Sequence, residues 1–267
     1  MSTPISPLLS TNSQSSCRNN NSIEDAKATI RSICMQLAHQ VNTFLENEAT
    51  TPLLGRVQVQ TRITLNVIHI ALEQYSALAG AGFRGPRTEE ILSARTSSSS
   101  KISSLFPHRL PSIYIMAPHS FPEVDEFVTD SATAYGLDLV RYALPMKVAL
   151  TRYLEEHKAI KAILVGTRRS DPHGKLLTHF DETDNGWPSF MRVHPVIDWN
   201  YSEIWAFIRH LGIPYCKLYD QGYTSLGGIT DTHPNPALKI DDTDIYKPAY
   251  ELTDDDAERL GRDDHQN

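Results

Sequence analysis

The chain has 267 residues, 40% hydrophobic and 21% charged, which is enough for one sizeable α/β domain or two small ones. Its formal net charge of −7 argues against a nucleic-acid-binding surface. The three cysteines, Cys17, Cys34 and Cys216, lack C-x-x-C spacing, so they predict neither a disulfide framework nor a zinc site and favour a reducing compartment.

Residues 1–21 are rich in Ser and Asn, contain no acidic residue, and have Arg18 as their single cation. They lack the apolar centre of a secretory signal, and the chain contains no apolar run of about 18 residues that could cross a membrane. We expect a disordered tail here and a cytoplasmic protein. A mitochondrial transit peptide is the alternative.

Two helices are predicted next. Ser22 and Asp25 form a capping box for the first, whose apolar residues recur at three- and four-residue spacing and predict a core-facing stripe. These residues are Ile30, Ile33, Cys34, Leu37, Val41, Phe44 and Leu45. The second helix is predicted at about residues 63–78.

Residues 76–111 differ in composition from the sequence on either side and include the polar run 97–100. Within them, residues 80–85 satisfy the pattern G-x-G-x-x-G. We reject this as a dinucleotide-binding fingerprint, because a helical pattern precedes it where a strand is required and because Pro86 follows it.

Strands and helices then alternate along the chain. Strands are predicted at 113–116, 139–143 and 162–165, and helices at 122–135 and 146–157. This alternation predicts βαβ crossovers and a parallel sheet. Ser120 and Pro122 lie at a strand-to-helix junction and fit two interpretations equally well, a ligand contact or an N-cap followed by a first-turn proline.

The third strand leads into Gly-Thr-Arg-Arg-Ser-Asp-Pro-His-Gly at 166–174. Ligands bind at the carboxyl ends of parallel strands, so Arg168 and Arg169 are expected to face a crevice, where guanidinium groups suit phosphate. Asp171 could accept from a ligand hydroxyl or help to hold a divalent metal. The alternative is an Asp-Pro turn with solvated charges.

A second short strand is predicted at 191–196, after a turn that contains Asp184 and Trp187. An indole on a turn beside Arg192 can stack on a flat ring and pair with its anionic tail. The alternatives are that Trp187 covers the core and that Arg192 forms a surface ion pair.

A helix is predicted at 201–210, ended by Gly212, and Trp199 and Trp205 are predicted to pack in the core. In the following loop, glycines and hydroxyls permit a ligand to approach the backbone closely, at Ser225, Gly227 and Gly228. Near the C-terminus, Arg259 and Arg262 flank a glycine in a helix-like stretch. Capping of that stretch is their simplest interpretation.

Four runs in this order resemble the FAD synthases of fungi and other eukaryotes, which are FMN adenylyltransferases: GTRRSDPHG, DNGWPSFMRVHPVIDWNYSEIWAFI, LYDQGYTSLGG with NP after it, and ERLGR. The resemblance covers roughly residues 112–262. It implies a PAPS-reductase-like adenine nucleotide α-hydrolase fold, an α/β fold with an open, mostly parallel sheet flanked by helices. It also implies a single domain over 22–262, with 76–111 as an anomalous stretch and 263–267 as a tail.

The implied reaction converts FMN and ATP into FAD and pyrophosphate with Mg²⁺. The implied enzyme is a monomeric nucleotidyltransferase that binds small molecules only. The resemblance gives Asp171 to the phosphates and the metal, and Arg259 and Arg262 to the FMN phosphate or the transferring phosphoryl group. It places further residues around the substrates, and near the flavin in particular: Arg168, Asp184, Trp187, Arg192, Ser225, Gly227 and Gly228.

The chain departs from this family at one point. The family's pyrophosphate-binding loop, S-x-N-G-G-K-D, is absent from all 267 residues, and residues 76–111 stand in its place. One alternative is therefore a catalytically impaired FMN-binding relative or a mis-spliced product. A sulfonucleotide reductase is a second alternative, but it needs a nucleophilic cysteine near the C-terminus, and none follows Cys216.

Overall fold

A computed structural model of the chain describes residues 39–75 and 110–263. The predicted N-terminal tail, the Ser22 capping box and all but the last two residues of the anomalous stretch lie outside these ranges. Residues 39–46 are helical. The elements that follow are α1 (Pro52–Tyr75), β1 (Leu110–Ile115), α2 (Pro122–Ala134), β2 (Leu137–Tyr142), α3 (Met146–Glu156), β3 (Ala162–Leu164), β4 (Phe180–Glu182), β5 (Met191–Val193) and α4 (Tyr201–Leu211).

Helix α1 begins eleven residues before the predicted start at Ile63, so that prediction was wrong. The start signal is a cap followed by proline: the Thr51 hydroxyl accepts the backbone N–H of Leu54 at 3.2 Å, and Pro52 occupies the first helical position. Within the first predicted helix, Phe44 and Leu45 are buried as its apolar stripe required.

The strands form two sheets. β1 and β2 pair in parallel, with Ser112 opposite Leu139. In the second sheet β5 lies between β3, to which it is parallel, and β4, to which it is antiparallel. The parallel βαβ arrangement is thus confirmed. Strand β4 was not predicted, and β5 ends at Val193 instead of Val196, because Pro195 cannot donate to a strand ladder.

Helix α4 forms as predicted and extends one residue further, to Leu211. Asn200 and Glu203 make a reciprocal capping box at its start, and Gly212 ends it with φ of +63°, a conformation that glycine adopts without strain. Its Trp205 ring is surrounded edge-on by tyrosines and is 6% exposed. The tyrosines are Tyr201, Tyr215, Tyr219 and Tyr250.

Trp199 packs in a second core cluster, in which α4 lies against α1. Its indole N–H donates to the Thr64 hydroxyl of α1 at 2.9 Å, so the buried nitrogen is satisfied. Both tryptophans predicted to pack in the core do so. No helix in the described ranges is long and apolar enough to cross a membrane.

Two local predictions were wrong. The stretch before Arg262 is a 3₁₀ turn, Asp255–Ala257, followed by further turns, so its arginines do not cap an α-helix. Ser120 does not cap α2 either, because Phe121 is the N-cap residue and makes no side-chain cap bond. The Ser120 hydroxyl donates instead to Asp125 at 2.8 Å.

Candidate active site

The turn after β3 is built around the carboxylate of Asp171. Its Oδ2 accepts the backbone N–H of Arg168 at 2.8 Å, and the backbone N–H of Gly174 donates to the Asp171 carbonyl at 2.9 Å. This local bonding folds the segment back on itself, as an aspartate before a proline favours. The Asp171 side chain remains 28% exposed, so its carboxylate is accessible from one side.

Gly174 is required by this turn because a β-carbon there would overlap the carbonyl oxygen of Arg168. We expect Gly174→Ala to lower the free energy of unfolding by about 1–3 kcal/mol, the usual cost of overpacking. Urea denaturation measures this. Gly166→Ala is the matched control in the same segment, since its added methyl group meets no atom within 4 Å. Equal stability of both variants would contradict the prediction.

Arg168 is buried, with 8% of the residue exposed. Its Nη2 donates to both oxygens of Glu258, at 2.6 and 2.7 Å, and to Asp171 Oδ1 at 3.3 Å. Burial alone would lower the pKa of Arg168, but the bonds to Glu258 and the charges of both carboxylates raise it above its ordinary value. Arg169 is also occupied, since its guanidinium pairs with Asp198 and donates to the Leu177 carbonyl.

Asp184 and Trp187 lie at the tip of the hairpin that joins β4 to β5. Asn185 and Gly186 both have positive φ, +52° and +73°, and the Trp187 N–H donates to the Asp184 carbonyl at 3.0 Å. Positive φ at both central residues is a feature of a type I′ turn, and this turn lies within the connection 183–190 between the two strands. Trp187 is 38% exposed, so it does not cover the core, and Lys147 Nζ lies 6.0 Å from the centre of its ring.

Arg192 lies in the middle of β5, opposite Ile163 of β3 and Asp181 of β4. Its Nη2 donates to the Glu182 carbonyl at 3.1 Å. Its Nε is buried and has no hydrogen-bond partner. Arg192 therefore does not form the simple surface ion pair considered as the alternative.

Arg262 lies across the loop 222–228, here called the glycine-rich loop. Its guanidinium occupies the space that a side chain at Gly227 would fill, and its Nη2 is 3.5 Å from Asp231 Oδ1. Its Nε, like that of Arg192, is buried without a partner. Gly228 pairs with Ser120 in an antiparallel bridge, which attaches this loop to the segment that follows β1.

Arg259 is exposed and approaches Ser225, with 3.5 Å between Nη1 and Oγ. Close to Arg259 and Ser225, buried polar side chains join the glycine-rich loop to the C-terminal segment. Thr224 Oγ1 donates to the Glu258 carbonyl at 2.5 Å, and Asn235 Nδ2 donates to the Ala257 carbonyl at 2.7 Å. Asn235 is fully buried.

Sequence reasoning did not assign Glu258, Thr224 or Asn235 to the site. The signals that could have indicated them were positional: Glu258 is next to Arg259, Thr224 lies in the glycine-rich loop and Asn235 precedes Pro236. Their partners lie far away along the chain, so spacing alone could not reveal the contacts.

A cavity of about 330 Å³ connects part of these residues. Arg168 and Glu258 line it together with Thr224, and Trp205 and Tyr219 contribute much of its apolar wall. Burial raises the pKa of Tyr219 to about 12. Arg168 is the one predicted site residue that lines this cavity; the others do not: Asp171, Asp184, Trp187, Arg192, Ser225, Gly227, Gly228, Arg259 and Arg262. Asp171 is connected to the cavity through its contact with Arg168, and the hairpin tip lies apart from it.

The fold and these motifs define an α/β protein of the PAPS-reductase class, and residues 141–234 match the phosphoadenosine phosphosulfate reductase domain model. The chain is 40% identical over 232 residues to a probable FAD synthase of Schizosaccharomyces pombe, covering 83% of this chain and 85% of that protein. The chain therefore belongs to the FAD synthase family.

Other relatives are matched over a smaller part of their length. A probable FAD synthase of Caenorhabditis briggsae is 42% identical over 56% of this chain, which corresponds to 29% of that protein. The fold is also that of the Candida glabrata FMN adenylyltransferase in complex with FMN and the ATP analog AMPCPP. That structure has a TM-score of 0.73 and 22% identity, and the match covers 87% of this chain and 99% of the other.

Proposed function

We propose that this chain transfers the adenylyl group of ATP to FMN, giving FAD and pyrophosphate. One observation supports the assignment of this reaction to the predicted site, and it concerns Arg192 and Arg262. Two buried side-chain nitrogens in the described ranges lack a hydrogen-bond partner, and they are Nε of Arg192 and Nε of Arg262. Buried donors without partners are rare and costly in native proteins, so each of these nitrogens needs an acceptor, which a bound ligand or an ordered water would supply. Both arginines are residues that the family resemblance gives to FMN or its phosphate.

The proposed roles follow from charge and exposure. Arg259 and Arg262 hold the phosphate groups, and Trp187, with Asp184 and Arg192, holds the isoalloxazine ring. An oxygen of the FMN phosphate attacks the α-phosphorus of ATP, a new P–O bond forms, and the bond to pyrophosphate breaks with its electron pair on the leaving oxygen. The protein positions the two substrates, and its guanidinium groups stabilise the charge that develops.

The residues fit the Mg²⁺ ion that this chemistry uses. No cluster of three or more His, Cys, Asp or Glu residues in the described ranges could hold a metal ion unaided. A single partly exposed carboxylate, that of Asp171, is nevertheless the donor set that suits Mg²⁺ bound mainly through nucleotide phosphates. Bound there, Mg²⁺ would neutralise phosphate charge, and Asp171 would anchor it.

We further propose a monomeric, cytoplasmic protein that binds FMN and ATP and no nucleic acid, with one domain over 22–262. The net charge of −7 supports the absence of a nucleic-acid surface. A sulfonucleotide reductase is disfavoured, because Cys216 is 3% exposed and burial raises the pKa of its thiol, which suppresses the thiolate such chemistry requires.

An impaired FMN-binding relative is the second candidate, because the motif S-x-N-G-G-K-D is absent from the sequence. Two titrations of the purified chain separate the candidates: FMN followed by flavin fluorescence, and MgATP followed by calorimetry. Binding of both, together with pyrophosphate release in a coupled assay, supports the enzyme. FMN binding without ATP binding supports the relative, and absence of FMN binding overturns both.

Trp187→Ala is expected to weaken FMN binding by about tenfold, since loss of one aromatic stacking contact costs about 1 kcal/mol or slightly more. Trp187→Phe should retain most of the affinity because it keeps an aromatic face. The exposed position of Trp187 predicts little change in the midpoint of urea denaturation for either variant. Unchanged FMN affinity in Trp187→Ala would remove Trp187 from the flavin site.

A further inference from the structure

One nitrogen of the Arg168 guanidinium contacts two carboxylates, that of Asp171 in the turn after β3 and that of Glu258 in the C-terminal segment. Arg168 Nη2 is 2.6 and 2.7 Å from the two oxygens of Glu258 but 3.3 Å from Asp171 Oδ1. A terminal guanidinium nitrogen carries two hydrogens, so the two acids compete for it. Glu258 takes the short, charge-assisted bonds, and Asp171 is left with the long one.

The competition takes place away from bulk water. The side chains of Arg168 and Glu258 are 10% and 16% exposed, and that of Asp171 is 28% exposed. Two carboxylates and one guanidinium leave a net charge of −1 on the group. Asp171 is the more exposed of the two carboxylates.

Glu258 is held in this position by its own main chain. Its carbonyl accepts the Thr224 hydroxyl at 2.5 Å, and the adjacent carbonyl of Ala257 accepts Asn235 Nδ2 at 2.7 Å. Thr224 and Asn235 are 3% and 0% exposed. The Glu258 carboxylate therefore meets Arg168 from a fixed backbone, which distinguishes this contact from a mobile surface ion pair.

We propose that Glu258 is a positioning residue that holds the guanidinium of Arg168 and thereby leaves the Asp171 carboxylate available to the metal ion that binds the nucleotide phosphates. This inference rests on the proposed function, which assigns that task to Asp171. Without the charge of Glu258, Arg168 Nη2 is free to close on Asp171 and to neutralise the carboxylate. In this role Glu258 acts through Arg168 and not through direct contact with substrate or metal.

The test is Mn²⁺ binding to the full chain in the presence of ATP, measured from the signal of free Mn²⁺ in electron paramagnetic resonance. Binding to the protein is the difference from a titration with the same ATP and no protein, because ATP alone binds Mn²⁺. Glu258→Gln keeps the shape of the side chain and removes its charge. We expect Mn²⁺ affinity to fall by about tenfold or more, the usual effect of losing a group that orients a metal ligand. FMN affinity should stay within about twofold. Glu251→Gln, on an exposed residue, is the matched control and should bind both ligands as the unmodified chain does.

The double variant Arg168→Gln with Glu258→Gln separates positioning from structural support. It removes the guanidinium that would neutralise Asp171, so Mn²⁺ affinity should return to within about threefold of the unmodified chain. A merely structural role of Glu258 predicts that the double variant binds no better than the single one. The double variant also replaces the ion pair by two neutral groups, so it decides the question even where Glu258→Gln alone folds poorly.

Each result has one interpretation. Unchanged Mn²⁺ affinity in Glu258→Gln, or a double variant that binds more than tenfold more weakly than the unmodified chain, overturns the positioning role. Equal weakening of Mn²⁺ and FMN binding in Glu258→Gln overturns it as well. Absence of Mn²⁺ binding by the unmodified chain with ATP present refutes the proposed metal and ATP site itself, and the positioning role with it.

Discussion

Arg262→Ala is expected to lower kcat/KM for FAD formation by about 10²–10³-fold, the usual effect of removing one preorganised donor from a transition state. The physical reason is the position of the side chain before any ligand arrives. Its guanidinium is seated over Gly227, and its Nε is buried without an acceptor. The cost of orienting and desolvating this charge is already met in the free protein, so the charge is ready to act on a phosphate.

The measurement is a coupled assay of pyrophosphate release with FMN and MgATP varied independently. Arg262→Lys keeps the charge and loses the planar fork, so an intermediate rate is expected. The free energy of unfolding of Arg262→Ala should change little, because the variant also removes an unsatisfied buried nitrogen. A rate equal to that of the unmodified chain would place Arg262 outside the active site.

Arg168→Gln is expected to have the largest effect on stability, a loss of about 3–5 kcal/mol in the free energy of unfolding at neutral pH. The variant leaves the carboxylate of Glu258 in a buried site without its cation. Urea denaturation gives the value. Arg152→Gln is the control: Arg152 pairs with Glu156 on the exposed face of α3, where such a pair contributes about 0.3–0.5 kcal/mol.

The loss should depend on pH in a defined direction. Burial already raises the pKa of Glu258, and Arg168 partly counteracts this, so removal of Arg168 raises that pKa further. A group whose pKa is raised by folding stabilises the fold below its unfolded pKa and loses that contribution as the pH rises through the folded pKa. The loss in the free energy of unfolding caused by Arg168→Gln should therefore be smaller at about pH 4 than at about pH 7. A loss that is independent of pH would show that Glu258 does not carry the effect.

Local sequence signals were sufficient for much of the fold. Strands β1 and β2, helix α2 between them and helix α3 after them were placed to within a few residues, because each is coded by neighbouring side chains and turn residues. Helix α4 was placed for the same reason, and Gly212 fixed its end. The start of α1 was missed although Thr51 and Pro52 carried a recognisable signal.

The features that were not predicted depend on contacts between residues distant in sequence. Strand β4 contains two acidic residues in three and forms only because the hairpin at Asn185 and Gly186 folds it against β5. Arg168 was expected to face the crevice, and it does line the cavity, but its bonds to Glu258 join residues 90 positions apart. No spacing rule connects two such residues, so their pairing could be found only in three dimensions.

The two sheets are joined through the C-terminal segment and through the glycine-rich loop that contains Gly228. In the described ranges, no strand pairing links β1 and β2 to the second sheet. Ser120, after β1, bridges to Gly228, and Arg168, after β3, pairs with Glu258. The pocket therefore depends on contacts between residues far apart in sequence, so loss of the C-terminal segment would separate the two sheets as well as remove Glu258 from the cavity.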